Sequence, residues 1–185
     1  MAGQFEGIAE VDRPIEEVFA FLADGENDRS FSPRVQEIRK TTEGPTGVGT
    51  VYASTVKDAG MTTKREIRIS AFEAPTTIRW TELSKNLVTS KDGGYDLEAT
   101  PSGGTRVRIF NVLEGHGLGK LLVGFGLSAA RKDAPAFAAR IKAAIEAAIP
   151  APEAVSAPAP EAAPAPETAP ETAPEPEPKA APESE

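Results

Sequence analysis

Few residues in this 185-residue chain could carry chemistry, and the types that are missing narrow the field at once. There is no cysteine, so thiolate nucleophiles, thiolate metal sites and disulfides are excluded. The one histidine, His116, stands among Gly115, Gly117 and Gly119. Alone it makes no multi-histidine metal site. A Ser–His–Asp arrangement would have to recruit a distant serine, and no nucleophile-elbow motif is present. A solvent-facing loop position is the favoured reading of His116, since proton shuttling needs a partner in a pocket. The run from Gly115 to Leu121 imitates a phosphate loop. However, Glu114 stands where that motif needs its first glycine, and Leu121 stands where it needs a magnesium-binding hydroxyl. Gly47-Val48-Gly49 is a turn, because no βαβ unit follows it. No metal, no cofactor and no assignable catalytic residue is expected.

Aromatic residues mixed with isolated polar groups are the remaining candidates. Strand alternation places Tyr52, Trp80, Tyr95 and Asn111 on one inner face, with Phe19, Phe31, Phe72 and Phe125 as further contributors. An apolar wall with a few placed polar groups is the composition of a small-molecule pocket. The competing reading is a filled core in which the aromatics pack and Asn111 bonds to backbone. Carboxylates fall on outward parities, which leaves no acid/base cluster. Arg65, Arg68, Arg79, Arg106 and Arg108 are assigned to a wet face, with Glu66, Asp96 and Glu98 as cross-strand partners. A solvated mixed-charge face is favoured there over a nucleic-acid platform.

The elements that must position these residues follow from periodicity. Residues 5–11 alternate as a strand. Asp12 is a candidate N-cap, Pro14 suits a first helical turn, and Ile15, Val18, Phe19 and Leu22 form an i, i+3, i+4, i+7 face. Gly25 stops that helix, and a second, shorter one is predicted over 26–31 before Pro33. Strands are predicted over 35–41 (polar, at an edge), 50–57, 62–72, 76–83, 88–99 (bulged or broken at Asp92-Gly93-Gly94) and 105–113. Clean alternation between tight turns indicates an antiparallel sheet with one wet face. Phe137, Ile141, Ile145 and Ile149, each four apart, then stack along one face of a long helix. Gly124 and Gly126 predict a kinked or mobile first half of that helix, a gate at a pocket mouth, and Pro135 is a candidate start of its second half. The predicted architecture is α+β: a curved antiparallel sheet of about seven strands around a long C-terminal helix, with two short helices after the first strand.

Composition divides the chain into residues 1–149 and a tail, 150–185. The tail holds 11 of the 17 prolines, with eight Glu against one Lys, a net of −7 out of −8. Its Ala-Pro-Glu-Thr repeats carry almost no large apolar residue and predict an extended, disordered segment. The near-neutral body argues against a dedicated nucleic-acid binder. Residues 1–11 contain Glu6 and Glu10 rather than an apolar leader, and the apolar run 118–127 is too short to span a bilayer. A cytoplasmic protein is expected.

Four stretches together resemble a known family. They are the strand-to-helix opening Val11-Asp12-Arg13-Pro14-Ile15-Glu16-Glu17-Val18-Phe19-Ala20-Phe21-Leu22, the segment Glu26-Asn27-Asp28-Arg29-Ser30-Phe31-Ser32-Pro33 with Phe31 in place of a usual tryptophan, the turn and strand Gly47-Val48-Gly49-Thr50-Val51-Tyr52, and Gly103-Gly104-Thr105-Arg106-Val107. In this order they resemble the START/Bet v 1-like (SRPBCC) superfamily, and within it the bacterial polyketide cyclase/dehydrase-type proteins, over roughly residues 3–148. The resemblance implies a helix-grip fold and a cavity between sheet and long helix for a lipid, polyketide or related hydrophobic molecule. It leaves three functions open: a non-catalytic binding protein, which is favoured; a cyclase/aromatase/dehydratase-type enzyme; and a regulatory module whose acidic tail has an unknown partner.

Overall fold

The computed structural model describes residues 2–58 and 60–151. The chain divides into Met1–Pro152 and Glu153–Glu185, and the sheet and helices belong to the first unit. The predicted tail lies outside the described residues from position 152 onward.

After β1 (Ala2–Val11), Pro14 takes the N-cap position of α1 (Ile15–Ala23) without a side-chain cap. Asp12, predicted for that role, instead gives its backbone N–H to Glu146 Oε1 at 3.0 Å. Glu16 and Glu17 sit in the first turn, where the helix dipole favours negative charge. The Asp24 carboxylate accepts from the Glu26 N–H and opens a 3₁₀ turn, Gly25–Asn27, which runs into α2 (Asp28–Phe31). These three pieces form a cap over the sheet.

The strands are β2 (Val35–Lys40), β3 (Val51–Asp58), β4 (Met61–Glu73), β5 (Thr77–Glu82), β6 (Val88–Ala99) and β7 (Thr105–Gly115). They form one seven-stranded antiparallel sheet in the order β1-β7-β6-β5-β4-β3-β2, which leaves the polar β2 at an edge as predicted. Two irregularities change who faces whom. A shift between Ile69 and Ala71 brings Phe72, not Ala71, onto the inner face opposite Ile78. Another, between Ser90 and Asp92, makes β6 a continuous but bulged strand, the first of the two alternatives expected there. In the β6–β7 turn, Gly103 adopts φ 84°, which a residue with a Cβ resists.

The last helix, α3 (Gly119–Ala148), is one continuous element through Gly124, Gly126 and Pro135, so Pro135 does not begin a separate helix as predicted. Thirty residues make it about 45 Å long. Its alanine content has a packing cause. Ala134 and Ala138 face Gly7 of β1 so closely that a Cβ on Gly7 would lie 2.9 Å from the Ala134 carbonyl oxygen. Small residues on both sides let helix and strand backbones approach. Toward its end the seam changes character. Ile141 and Ile145 are fully buried in the core that also holds Val18 and Val107, and Phe137 and Ile149 pack at its margin. The buried Arg13 guanidinium closes the helix by donating to the carbonyls of Ile149 (2.8 Å) and Glu146 (3.2 Å), a cation at the negative end of the dipole.

Candidate functional site

The inner face of the sheet meets the cap at a small, mainly apolar cavity. Leu22, Ala23, Gly25 and Asp28 line it from the cap; Tyr52, Ile67, Ile69, Ile78, Trp80 and Tyr95 line it from β3 to β6. Its volume is about 30 Å³, room for little more than one water molecule. Tyr52 is 1% exposed, and its hydroxyl lies 3.3 Å from the Ala23 carbonyl and 2.9 Å from Thr46 Oγ1, which ties the end of α1 to β3. Gly25 is glycine for want of space, since a Cβ there would meet the Tyr52 ring at 3.0 Å.

One carboxyl points into this cavity, and sequence reasoning missed it. Asp28 retains some surface at the rim, but its carboxyl is withdrawn from water and stands beside the Tyr95 hydroxyl. Burial is the main cause pushing its pKa up to about 7, repulsion from Asp24 adds to this, and the Tyr95 hydrogen bond opposes it. Tyr95 is in turn raised well above its ordinary value, first by burial and then by the neighbouring Asp28. A carboxyl poised between its two protonation states near neutrality, beside a phenol, can donate a hydrogen bond to a carbonyl oxygen or accept one from a hydroxyl.

A second polar group adjoins Trp80. The Trp80 ring stacks edge-on against Tyr95 with centroids 5.1 Å apart, and its Nε1 donates to Asn111 Oδ1 at 3.3 Å. Ser90 Oγ donates to the same oxygen at 2.7 Å. Gly93 lies between them, where a Cβ would fall 2.4 Å from both Asn111 Oδ1 and Trp80 Nε1. Farther along β5, the Glu82 side chain is wholly buried. It accepts from Arg65 Nη1 (2.9 Å), the Ser90 N–H (2.8 Å) and Asn86 Nδ2 (3.0 Å). Arg65 Nε is buried without a hydrogen-bond partner among the described residues. This corrects the expectation that Arg65 belongs to the wet face and that all carboxylates point outward. Arg79 and Arg108 do occupy the outer face, where both bind Asp96 and lie 4.9 Å from the Phe110 ring centroid.

The predicted site residues therefore separate. Tyr52, Trp80 and Tyr95 meet at the cavity, and Asn111 stands one contact away through Trp80. Phe19 and Phe72 pack edge-on at 5.1 Å in the core, and Phe31 packs between Phe21 and Phe137. None of these three lines the cavity. Phe125 is 85% exposed on the outer side of α3, because the inward stripe passes through Val123 and Leu127 instead. His116 lies in the exposed β7–α3 loop, outside the cavity, with Nε2 2.9 Å from Thr89 Oγ1. Among the described residues no three His, Asp or Glu side chains are grouped to hold a metal.

A family model described as polyketide cyclase / dehydrase and lipid transport matches residues 3–148, most of the chain. The chain belongs to this family. Solved structures share its fold. The chain is similar to TTHA0849 from Thermus thermophilus (TM-score 0.66, 14% identity, 79% of this chain and 99% of that one). It is similar to the Zhui aromatase/cyclase from Streptomyces sp. R1128 (0.62, 15%, 78% and 92%). It is also similar to Ara h 8.0201 (0.55, 23%, 78% and 98%). No curated protein matches. For a member of this family the helix-grip fold is the expected scaffold, and no described helix is long and apolar enough to cross a membrane.

Proposed function

We propose that this family member binds a hydrophobic small molecule between the cap and the inner face of the sheet, with Tyr52, Trp80 and Tyr95 as walls and the Asp28–Tyr95 pair as its polar anchor. The observation that carries this is a carboxyl and a phenol, Asp28 and Tyr95, lining a cavity otherwise walled mainly by Leu22, Ile67, Ile69 and Ile78. A buried carboxyl is costly to a purely structural core, and here it faces the void beneath the cap. The ligand class that fits is a largely apolar lipid- or polyketide-like molecule bearing a carbonyl or hydroxyl oxygen. The void of about 30 Å³ is far smaller than the several hundred Å³ of a typical ligand pocket, so binding requires α1, the 3₁₀ turn and α2 to move off the sheet. The cytoplasmic setting and a partner for the acidic tail belong to the same proposal.

A second reading is favoured by one feature. Asp28 next to Tyr95 supplies the acid/base pair that a cyclase or dehydratase needs, and the Zhui neighbour is an aromatase/cyclase. One experiment separates the outcomes. Trp80 is the sole tryptophan and lines the cavity, so its emission is titrated with oleate and with the planar polyphenol quercetin. Saturable changes that disappear in Asp28→Leu support binding. Unchanged emission with both probes overturns it. Turnover of an aromatic polyketide analogue, lost in Asp28→Asn with binding retained, supports the enzyme.

A further inference from the structure

The first half of α3 is apolar on two sides. Val123, Leu127 and Ala130 face inward, while Leu118, Leu121, Leu122 and Phe125, at i, i+3, i+4 and i+7, face solvent with exposures of 73, 79, 49 and 85%. The β5–β6 loop extends this outward stripe. Leu87 is 53% exposed, and its carbonyl accepts from the His116 N–H at 2.8 Å. A Cβ on Gly119 would sit 1.8 Å from the same oxygen, so loop and helix start are in backbone contact. Leu83, 41% exposed, continues the patch along the loop. An outward stripe of this kind costs solubility and needs something to cover it.

Charge indicates what covers it. Residues 83–91 and 115–132 contain Lys85, Lys91, Lys120, Arg131 and Lys132 and no Asp or Glu, in a chain of net charge −8. Those cations would oppose a second copy meeting this face by two-fold symmetry, because like charges would be apposed. They would favour an anionic surface. Leucine and phenylalanine on one side of a helix, with lysine at its margins and no carboxylate, are the features of a segment lying in a bilayer interface.

We propose that this protein docks peripherally on anionic lipid bilayers through the outer face of the first half of α3 and the β5–β6 loop. Leu87, Leu121, Leu122 and Phe125 enter the acyl boundary, and Lys85 and Lys120 lie at headgroup level. Docking goes beyond the ligand reading and can hold whatever the cavity takes.

The test is co-sedimentation of the full chain with vesicles of phosphatidylcholine alone and of phosphatidylcholine with about one-third phosphatidylglycerol. Expected is association with the anionic vesicles, weakened by salt as exposed charges are screened. Leu121→Glu/Phe125→Glu and Lys85→Glu/Lys120→Glu are each expected to weaken it about tenfold or more. All four side chains are exposed, so the variants should keep the wild-type circular dichroism and Trp80 emission. Three results overturn the proposal. One is no sedimentation with anionic vesicles; another is sedimentation indifferent to the Leu121→Glu/Phe125→Glu change. The third is a wild-type dimer that Phe125→Glu converts to monomer while vesicles recover neither, which would make the face an interface between copies.

Discussion

Asp28 ties stability to pH in a direction opposite to that of a salt-bridged carboxylate. Its folded pKa of about 7 lies above its ordinary value of 3.8, so between these limits the folded state holds a proton that the unfolded chain releases. Stability from this group is then present below about pH 4 and is lost as pH rises toward 7. Asp28→Asn, which keeps the shape without the charge, is expected to stabilise the protein at pH 8 by roughly 2 kcal/mol, a value discounted for the rim exposure, and to do little at pH 4. Urea unfolding of both proteins across that range checks this, and parallel pH profiles would show that the carboxyl is not desolvated. A second expectation concerns Arg65. Arg65→Leu strips the buried Glu82 of its cation and should cost about 2–4 kcal/mol in urea unfolding, whereas Arg65→Leu with Glu82→Leu should recover much of that loss. Both sites bear on what could be read beforehand. Arg65 lies two residues before Ile67 and Glu82 two after Trp80, so strand alternation carried through to these two positions puts them inside, against the wet-face and outward assignments they were given. Asp28 was hidden by its polar surroundings, Asp24 to Ser30. Its one available signal was its place three residues before the buried Phe31, on the same face of a short helix.

At the scale of elements, helix and strand types were legible because their periods of 3.6 and 2 were well kept, whereas the reason for a glycine inside an element was not. Gly93 and Gly94 do not break β6. They are small because Trp80 and Asn111 crowd the first, and Arg79 with the Ile78 carbonyl crowds the second. Gly124 and Gly126 do not break α3 either, and a Cβ at each would meet only open space. The two pairs should therefore respond oppositely to alanine. Gly93→Ala is expected to lower stability by about 2 kcal/mol and to shift Trp80 emission, as the Trp80–Asn111 hydrogen bond is forced apart. Gly126→Ala should raise stability by about 0.5–1 kcal/mol through helix propensity alone. Thermal and urea unfolding with fluorescence detection distinguish them. Destabilisation by Gly126→Ala would restore the idea that this half of the helix must bend to work.

For the whole molecule, two supports hold the sheet differently. The second half of α3 is clamped by fully buried isoleucines, a glycine–alanine seam against β1 and the Arg13 closure of its end. The cap is held to the sheet by Val18, Phe19 and Leu22 in the shared core, with Phe19 edge-on to Phe72 of β4, by Tyr52, and by the backbone Lys40 N–H bonded to Glu26 Oε1 at 3.0 Å, and it borders the void. If a ligand is to enter, the cap is the part that has to move, because it and not α3 lines the void. Sequence reasoning placed the moving part at Gly124–Gly126; a void beneath the cap was beyond its reach, because it depends on contacts between residues far apart in the chain. Hydrogen exchange with and without a saturating probe that shifts Trp80 emission makes the expectation specific. A ligand that binds only the folded state stabilises it by about 2.7 kcal/mol at a hundredfold excess over its Kd, and the gain in protection should concentrate in residues 15–31. Residues 137–148, already protected by the core, should change only as much as global stability does. Protection gained instead at 119–127, with 15–31 unchanged, would move the doorway to the start of α3 and remove the cap from the mechanism.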